Sequence, residues 1–519
     1  MVKQQSPIDI NPEFRHALDI MENTNRSIFI TGRAGTGKST LLSYFSRTTR
    51  KKVAILAPTG VAALNVKGQT IHSFFKFRPN ITPELIRPRK FKNEKDNIYK
   101  KLDAIIIDEI SMVRADLLDC VDKFLRLNGP DATEPFGGLQ MIFIGDLYQL
   151  PPVVSGGERE IFGELYDSPY FYSAKVFETF HMDFIELEKV YRQQDTRFVD
   201  LLNSIRNKTI EEDGLALLNQ RYNPRFEPPS GDFYVYLTTT NAGAEEINSR
   251  RLAELKGKTH TFEAVIEGEF GREYLPTAID LKVKAGAQIM MLNNDITGRW
   301  VNGSIGEVAR IETGQTGEPV IIVELTDGNI AEVTPYTWEI YSYTVNGGQL
   351  QSEVVGTFTQ YPLMLAWAVT IHKSQGKTFS KVIIDFGRGT FAHGQAYVAL
   401  SRCTSLEGIV LMKPVLKQHI LMDYHVVRFL TKYQYDKAEA SQSIEDKLAV
   451  IQRAIKNKTQ LQITYLKPND EKSRRVILPK EVGEMEYSGK KYMGVRAYCL
   501  TRKEDRTFRV DRILEMAEG

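Results

Sequence analysis

The chain has 519 residues, 42% apolar and 25% charged, a globular composition with room for three to four domains. No apolar run reaches membrane-spanning length, the start Met1-Val2-Lys3-Gln4-Gln5-Ser6-Pro7 has no leader-like apolar core, and Cys120, Cys403 and Cys499 match no zinc or redox spacing. Net charge is only +2, but from Lys447 onward 17 Lys and Arg face 10 Asp and Glu, a balance of +7 against −5 elsewhere. That asymmetry suits either an anionic partner for a basic C-terminal module or a solvated surface with none.

A helix is expected from Pro12 to Met21, followed by the short apolar strand Ile28-Phe29-Ile30. Next comes Gly32-Arg33-Ala34-Gly35-Thr36-Gly37-Lys38-Ser39, then the helical run Thr40 to Phe45. Strand, glycine loop and helix in that order are what a P-loop requires. Glycines let backbone N–H groups crowd around a polyphosphate, Lys38 can reach the β- and γ-phosphates, and the Ser39 hydroxyl can ligate Mg²⁺. Three more apolar strands follow: Val53 to Leu56, Ala104 to Ile107 and Met141 to Ile144. Each ends in a motif: Ala57-Pro58-Thr59-Gly60, Asp108-Glu109, and Gly145-Asp146-Leu147-Tyr148-Gln149. Short apolar strands alternating with helices imply a parallel sheet, whose ligands sit at the carboxyl ends of its strands.

Between Phe74 and Lys101 the pattern breaks. Phe74, Phe75, Phe77, Phe91 and Tyr99 are mixed with Lys76, Arg78, Arg87, Arg89, Lys90, Lys92 and Lys95, and prolines at 79, 83 and 88 punctuate the stretch. Aromatics stack bases and cations follow phosphates, so this insertion suits single-stranded nucleic acid; the alternative is aromatics covering a core edge. After Glu186 a second α/β unit begins, with a helix from Arg197 to Ile205 and strands at Tyr234 to Leu237 and Val382 to Asp385. From about Val301 to Thr359, alternating strands and the turns Asn302-Gly303, Asp327-Gly328 and Asn346-Gly347-Gly348 predict an inserted small β-barrel. Tyr435 to Ser443 is polar and reads as linker, and Lys447 onward as a separate α+β module.

Beside a P-loop, Asp108 can hold Mg²⁺ through water and Glu109 can polarise the attacking water. Gln149 sits where it can sense the γ-phosphate. Arg192 and Arg402, in the second half, are candidate arginine fingers, with a surface ion pair the ordinary alternative for each. On a second domain facing the first, they make hydrolysis depend on closure of a cleft.

In order, the P-loop, Ala57 to Ala63 with Thr70-Ile71-His72-Ser73-Phe74, Ile107 to Met112, Gly145 to Pro152, Leu237 to Asn241, Val301 to Gly306, Thr370-Ile371-His372-Lys373-Ser374-Gln375-Gly376 and Ala396 to Arg402 form one set. The chain resembles the Pif-one-type helicases, RecD-like members of helicase superfamily one, over about Pro12 to Pro414. The resemblance implies an α/β fold with two RecA-like P-loop domains: 1–75 with 102–185, and 186–300 with 360–420. It implies a wedge insertion at 76–101, a barrel insertion at 301–359 and, with the reading above, a linker at 421–446. ATP and Mg²⁺ are the implied cofactors, and the implied activity is 5′→3′ translocation on single-stranded DNA with unwinding of forked duplex carrying a 5′ tail. G-quadruplex and RNA–DNA hybrid substrates are suggested by the family alone. Carried over by position, Gly35, Thr36, Gly37, Lys38, Ser39 and Thr40 hold the nucleotide. Lys38, Ser39, Asp108, Glu109, Gln149, Arg192 and Arg402 form the ATPase set, and Gly376 links ATP to the DNA track. Pro58, Thr59, Gly60, His72, Asn241, Thr370, His372 and Lys373 contact the strand, with low sequence specificity. The family's adenine-reading Gln is replaced here by Phe14.

The tail, 447–519, resembles a WYL domain, a bacterial accessory module similar to small Sm-like barrels. The resemblance rests on Leu461 to Tyr465, Arg474-Arg475-Val476, Tyr492 to Cys499 and Arg506 to Ile513. Arg475, Tyr492, Arg496, Arg506 and Arg509 are its candidate pocket for DNA or a nucleotide, against a spacer whose arginines are ion-paired outward. Two other readings compete with the helicase. One is a translocase subunit that unwinds only within a complex. The other is a nucleotide-sensing regulator, which would need a helix-turn-helix that the sequence does not show. The expected setting is a monomeric motor in the bacterial cytoplasm, associated with the nucleoid.

Overall fold

The computed structural model describes residues 10–518 except 79–80, 92–95, 155–157, 194, 230, 315–316, 347–348, 388, 391 and 488. The N-terminal heptapeptide, Pro79, Lys92, Lys95 and the Gly347-Gly348 turn therefore lie outside the described residues.

Asn11 starts α1 (Pro12–Asn23): its side chain accepts from the Phe14 N–H, and Pro12 takes the first-turn position where no donor is needed. β1 (Ile28–Gly32) is fully buried and runs through the glycine loop into α2 (Lys38–Thr48). Then come β2 (Val53–Ala57), α3 (Gly60–Asn65), β3 (Gln69–Thr70), α4 (Ile71–Phe75), β4 (Ala104–Ile107), α5 (Ala115–Asn128), β5 (Gln140–Ile144), α6 (Arg159–Leu165) and β6 (Asp183–Leu187). The six strands pair in parallel in the order β3-β2-β4-β5-β1-β6. β1, β2, β4 and β5 are near-continuous apolar runs rich in Ile, as a helix-covered parallel sheet requires.

The second α/β region contains α7 (Thr196–Arg206), α8 (Glu212–Asn219), β7 (Val235–Thr238) and α9 (Asn241–Glu254). After an antiparallel excursion it resumes with β18 (Ala368–Thr370), β19 (Val382–Asp385), α10 (Gln395–Leu400) and β20 (Ile409–Leu411). Its sheet is also parallel, in the order β18-β7-β19-β20.

The excursion comprises β8 (His260–Glu263), β9 (Val265–Gly268), β10 (Asp280–Val283), β11 (Gln288–Met291), β12 (Ile305–Thr313), β13 (Pro319–Leu325), β14 (Ile330–Val333), β15 (Tyr336–Asn346), β16 (Gln349–Gln360) and β17 (Leu363–Leu365). It does not coincide with 301–359. β12, β13 and β14 complete a five-stranded antiparallel sheet with β11 and β17, both outside that interval, whereas β15 and β16 form a hairpin that pairs with β9. Alternation and turn signals locate hairpins, but do not say which sheet a hairpin's outer strand joins.

Two compact units result, Met1–Leu202 with Glu211–Leu421, and Asn203–Ile210 with Met422–Gly519. The second contains α11 (Tyr424–Ser441), α12 (Ile444–Asn457), β21 (Leu461–Leu466), β22 (Lys472–Tyr487), β23 (Lys490–Cys499), β24 (Glu504–Arg509) and β25 (Ile513–Glu518). The strands form an antiparallel sheet in the order β24-β23-β22-β21-β25, and α12 packs Ile451 and Ala454 into its core. The expected linker at 421–446 is largely the 18-residue helix α11. Val426, Val427, Leu430, Thr431, Gln434 and Ala438 are buried at helical spacing, so the stripe is partly polar and the helix was hard to see. Inside this unit Gln434 donates from Nε2 to the Asp470 carboxylate at 2.9 Å, while its Oε1 is buried without a partner among the described residues.

The basic–aromatic insertion is loop with short helical turns, and its aromatics divide. Phe74, Phe75 and Tyr99 are buried, in edge and stacked contacts with one another and with Phe124 of α5. They cover a core edge and cannot stack bases in this arrangement; Phe77 and Phe91 remain half-buried. Phe75→Ala should accordingly cost about 3–5 kcal/mol of stability in denaturant unfolding. A base-stacking role would instead show as weakened strand binding at unchanged stability.

Candidate nucleotide cleft and strand path

The glycine loop owes its shape to two left-handed residues, Gly35 at φ +82° and Gly37 at φ +90°. A Cβ on Gly35 would also fall 2.5 Å from that of Arg192. Lys38 folds back on the loop, its Nζ donating to the carbonyls of Gly32 at 2.6 Å and Arg33 at 3.1 Å. Thr36 is buried and bonds the Arg33 carbonyl at 2.9 Å, whereas Ser39 and Thr40 are exposed on the first turn of α2. Ser39 is thus open to a cation and Thr36 is structural.

Asp108 and Glu109 follow β4 directly, and Glu109 sits at φ +50°, a strained conformation for a side chain of that size. Burial, and for Asp108 the neighbouring Glu109 charge, push both carboxyls above the usual carboxylate range; Lys38 acts in the opposite direction on each. Gln149 is buried and donates from Nε2 to the Asp146 carboxylate at 3.1 Å, so it is held by Asp146 here.

The second sheet supplies the other wall. Arg402 is 1% exposed. Its Nε donates to the Val398 carbonyl at 3.0 Å and its Nη1 to those of Ser374 at 3.3 Å and Lys377 at 3.4 Å. Burial, then the neighbouring Arg192, lower its pKa to about 9. Arg192 donates to the Ser401 carbonyl at 3.2 Å and is likewise lowered by burial. The walls touch: the Ala34 N–H donates to the Tyr397 hydroxyl at 2.9 Å, the Tyr191 N–H to the Gly35 carbonyl at 2.9 Å, and Gly394 has no room for a Cβ against the carbonyls of Tyr148 and Gln149. Tyr397, Asp146 and Gln193 were not singled out from sequence. Gln193 is buried and bonds the Ser401 and Cys403 carbonyls at 3.1 and 3.0 Å, a contact that no local pattern reveals.

Phe14 is no base reader: it is buried in the core beneath the first sheet, with Tyr44 in edge contact at 6.4 Å. The amide nearest in sequence is that of Asn11, whose Nδ2 donates to the Tyr191 hydroxyl at 3.4 Å.

The strand candidates divide between open and covered positions. Thr59, Asn241 and Lys373 are exposed. Pro58, His72 and His372 are half-buried, and burial lowers the pKa of both histidines. Gly60 is buried against the Glu273 carbonyl, and Thr370 is buried at the end of β18, register-paired with Thr238 of β7. Gly376, at φ +74°, turns the loop after His372 and Lys373. Tyr274, unremarked in the sequence, bonds the Thr70 hydroxyl at 2.9 Å.

In the C-terminal unit the five pocket candidates do not converge. Opposed residues in a ladder share a face, and register sets Arg475 opposite buried Ile463 and Arg506 opposite buried Ala497. Tyr492 and Arg496 lie on the other face, with Arg509 over the Tyr492 ring at 5.2 Å. Arg496 pairs with Glu481, Arg506 with Glu504 and Arg509 with Asp511. The single five-residue pocket is corrected to a Tyr492–Arg509 pair with ion-paired Arg496 on one face, and Arg475 and Arg506 on the other.

A P-loop backed by two carboxyls, with Arg192 packed on its Gly35 and Arg402 carried just after α10 of the second α/β region, defines a two-lobed nucleoside triphosphatase. The residues fit a magnesium–triphosphate: Mg²⁺ needs one or two carboxylates plus phosphate oxygens and water, and among the described residues the cations acting on the buried carboxyls are Lys38 and, for Glu109, Arg402. Three families match the chain: PIF1-like helicase at residues 11–214, Helicase at 307–437 and WYL domain at 446–518. The ATP-dependent DNA helicase Pif1 of Bdellovibrio bacteriovorus is 32% identical, covering 82% of this chain and 93% of its own. The PIF1 of Emericella nidulans is 31% identical over 79% of this chain, which spans only 61% of that longer relative. The crystal structure of Bacteroides sp Pif1 with ADP-AlF4 superposes with a TM-score of 0.76 at 38% identity, covering 83% of this chain and 98% of that one; the same protein bound to ssDNA gives 0.60 at the same identity and coverage. The chain belongs to the Pif1-like helicase family, with two RecA-like domains and a C-terminal WYL domain.

The raised carboxyls set a pH-dependent prediction. An acid whose folded pKa lies above its unfolded one destabilises the fold once pH exceeds the unfolded value. Asp108→Asn should therefore raise the thermal midpoint of the nucleotide-free protein at neutral pH. The gain should vanish below about pH 4, where the unfolded carboxyl is itself protonated, and ATP hydrolysis should be lost throughout.

Proposed function

We propose that this protein is an ATP-dependent DNA helicase. ATP and Mg²⁺ bind in the cleft built by Lys38, Ser39, Asp108, Glu109, Arg192 and Arg402, and hydrolysis there drives 5′→3′ movement on single-stranded DNA. The observation that carries this reading is that the glycine loop lies against Arg192 and Tyr397, while the buried Glu109 carboxyl at the end of the same sheet feels the charges of Lys38 and Arg402. The chemistry follows from that placement. Glu109 orients water, Lys38 and the arginines stabilise charge developing on the transferred phosphoryl group, and the arginines arrive only when the lobes are together. Support for DNA as the track comes from the Bacteroides relative bound to ssDNA. Forked duplex with a 5′ tail is the substrate proposed, with G-quadruplex and RNA–DNA hybrids as further ones. The WYL domain contacts the strand or regulates the motor, through the face carrying Tyr492 and Arg509.

Lys38→Ala should lower ATP turnover by about 100-fold or more and abolish strand displacement, measured with labelled forks. Wild-type protein should open a 5′-tailed fork and leave a 3′-tailed one closed. Normal turnover by Lys38→Ala, or the opposite fork preference, would overturn the corresponding half of this reading.

A further inference from the structure

Lys377 lies immediately after Gly376 and belongs to no role assigned above. Its backbone and side chain face different partners. Its carbonyl accepts from Arg402 Nη1 at 3.4 Å, on the nucleotide side. Its Nζ donates to the Asn302 side-chain oxygen at 2.7 Å, at the turn leading into β12. That bond fixes which way the Asn302 amide points: with its oxygen engaged by a cation, its Nδ2 is presented on the other side. There it donates to the Asn65 side-chain oxygen at 3.2 Å. Asn65 ends α3, whose N-cap is Thr59 and whose first residue is Gly60. The Cβ of a side chain at Gly303 would fall 3.6 Å from the Lys377 Cβ, so the turn also packs on the lysine stem.

We propose that Lys377 is the positioning residue that couples the Arg402 finger to the strand path, through Asn302 and Asn65 to the helix carrying Thr59 and Gly60. When Arg402 turns from the carbonyls of Ser374 and Lys377 to a phosphate, the loop that they belong to is released. The lysine transmits that shift as a change in a three-member side-chain relay. The relay is short, every link is a hydrogen bond, and it spans the two RecA-like domains within one compact unit. This inference rests on the helicase reading.

The groups around the ammonium make it testable by pH. The ammonium itself donates to Asn302, Asn65 is reached only through the Asn302 amide and Arg402 only through the Lys377 backbone carbonyl, and burial alone shifts the ammonium's pKa. No carboxylate pairs with Lys377 among the described residues, and burial lowers its pKa to about 8. The protonated, strongly donating form is present below that value and lost above it.

The experiment measures ATP turnover with and without single-stranded oligonucleotide, for wild-type, Lys377→Met, Lys377→Arg and Asn302→Ala proteins, from about pH 7 to about pH 9. The wild-type ratio of stimulated to basal rate should fall with a midpoint near 8, as the Lys377 ammonium titrates. Lys377→Met and Asn302→Ala should each lower the ratio at pH 7 by at least about fivefold. Lys377→Arg, which cannot titrate in this range, should restore stimulation and flatten the profile. Full stimulation in both Lys377→Met and Asn302→Ala, or a Lys377→Arg profile that falls like wild-type, overturns the coupling role. A wild-type rate indifferent to oligonucleotide would instead overturn the helicase reading itself.

Discussion

A guanidinium enclosed by neutral acceptors is the constraint on which this structure turns. Arg402 is almost fully buried, and its donors rest on backbone carbonyls and the Ser401 hydroxyl. Burying a charge without an opposite charge beside it is costly, and carbonyl dipoles offset only part of the cost. Across the cleft, Asp108 and Glu109 bear the complementary cost, driven toward protonation by burial. Opposite charges are thus held apart at a distance set by two sheets. On the proposed reading, a magnesium–triphosphate between them supplies cation to the carboxyls and anion to the arginine. Nucleotide affinity and lobe closure are then the same event in electrostatic terms.

The rest of the first unit serves that separation. Parallel sheets place the glycine loop, Asp108, Glu109 and Thr370 at or after the carboxyl ends of strands, where a connection must turn and backbone donors are unpaired. The turns are tight because they are crowded: Gly35 lies under Arg192, Gly60 under Glu273, and Gly394 under Tyr148 and Gln149. Each of these glycines belongs to one lobe's motif and is pressed by a different segment. The motifs are therefore packing surfaces as much as chemical ones, and a movement of one lobe is felt directly at the other's loops.

The C-terminal unit obeys a different rule. A β-ladder sorts side chains by parity, so a list of arginines near in sequence is divided between faces before any pocket can form. Glu481, Glu504 and Asp511 then engage the arginines nearest to them. A net charge of +7 is real for this unit, but it is a distributed field and not a concentrated site.

The sequence alone determined the strand–loop–helix order, the P-loop, the acidic pair after β4 and the family, because these depend on residue type at fixed local spacing. Only the tertiary structure decided that Phe14, Phe75 and Tyr99 are core, that 421–446 is mostly helix, and that Tyr397 and Gln193 close the cleft. Burial, ladder parity and contacts between residues hundreds of positions apart arise from how elements pack, and no local spacing encodes them.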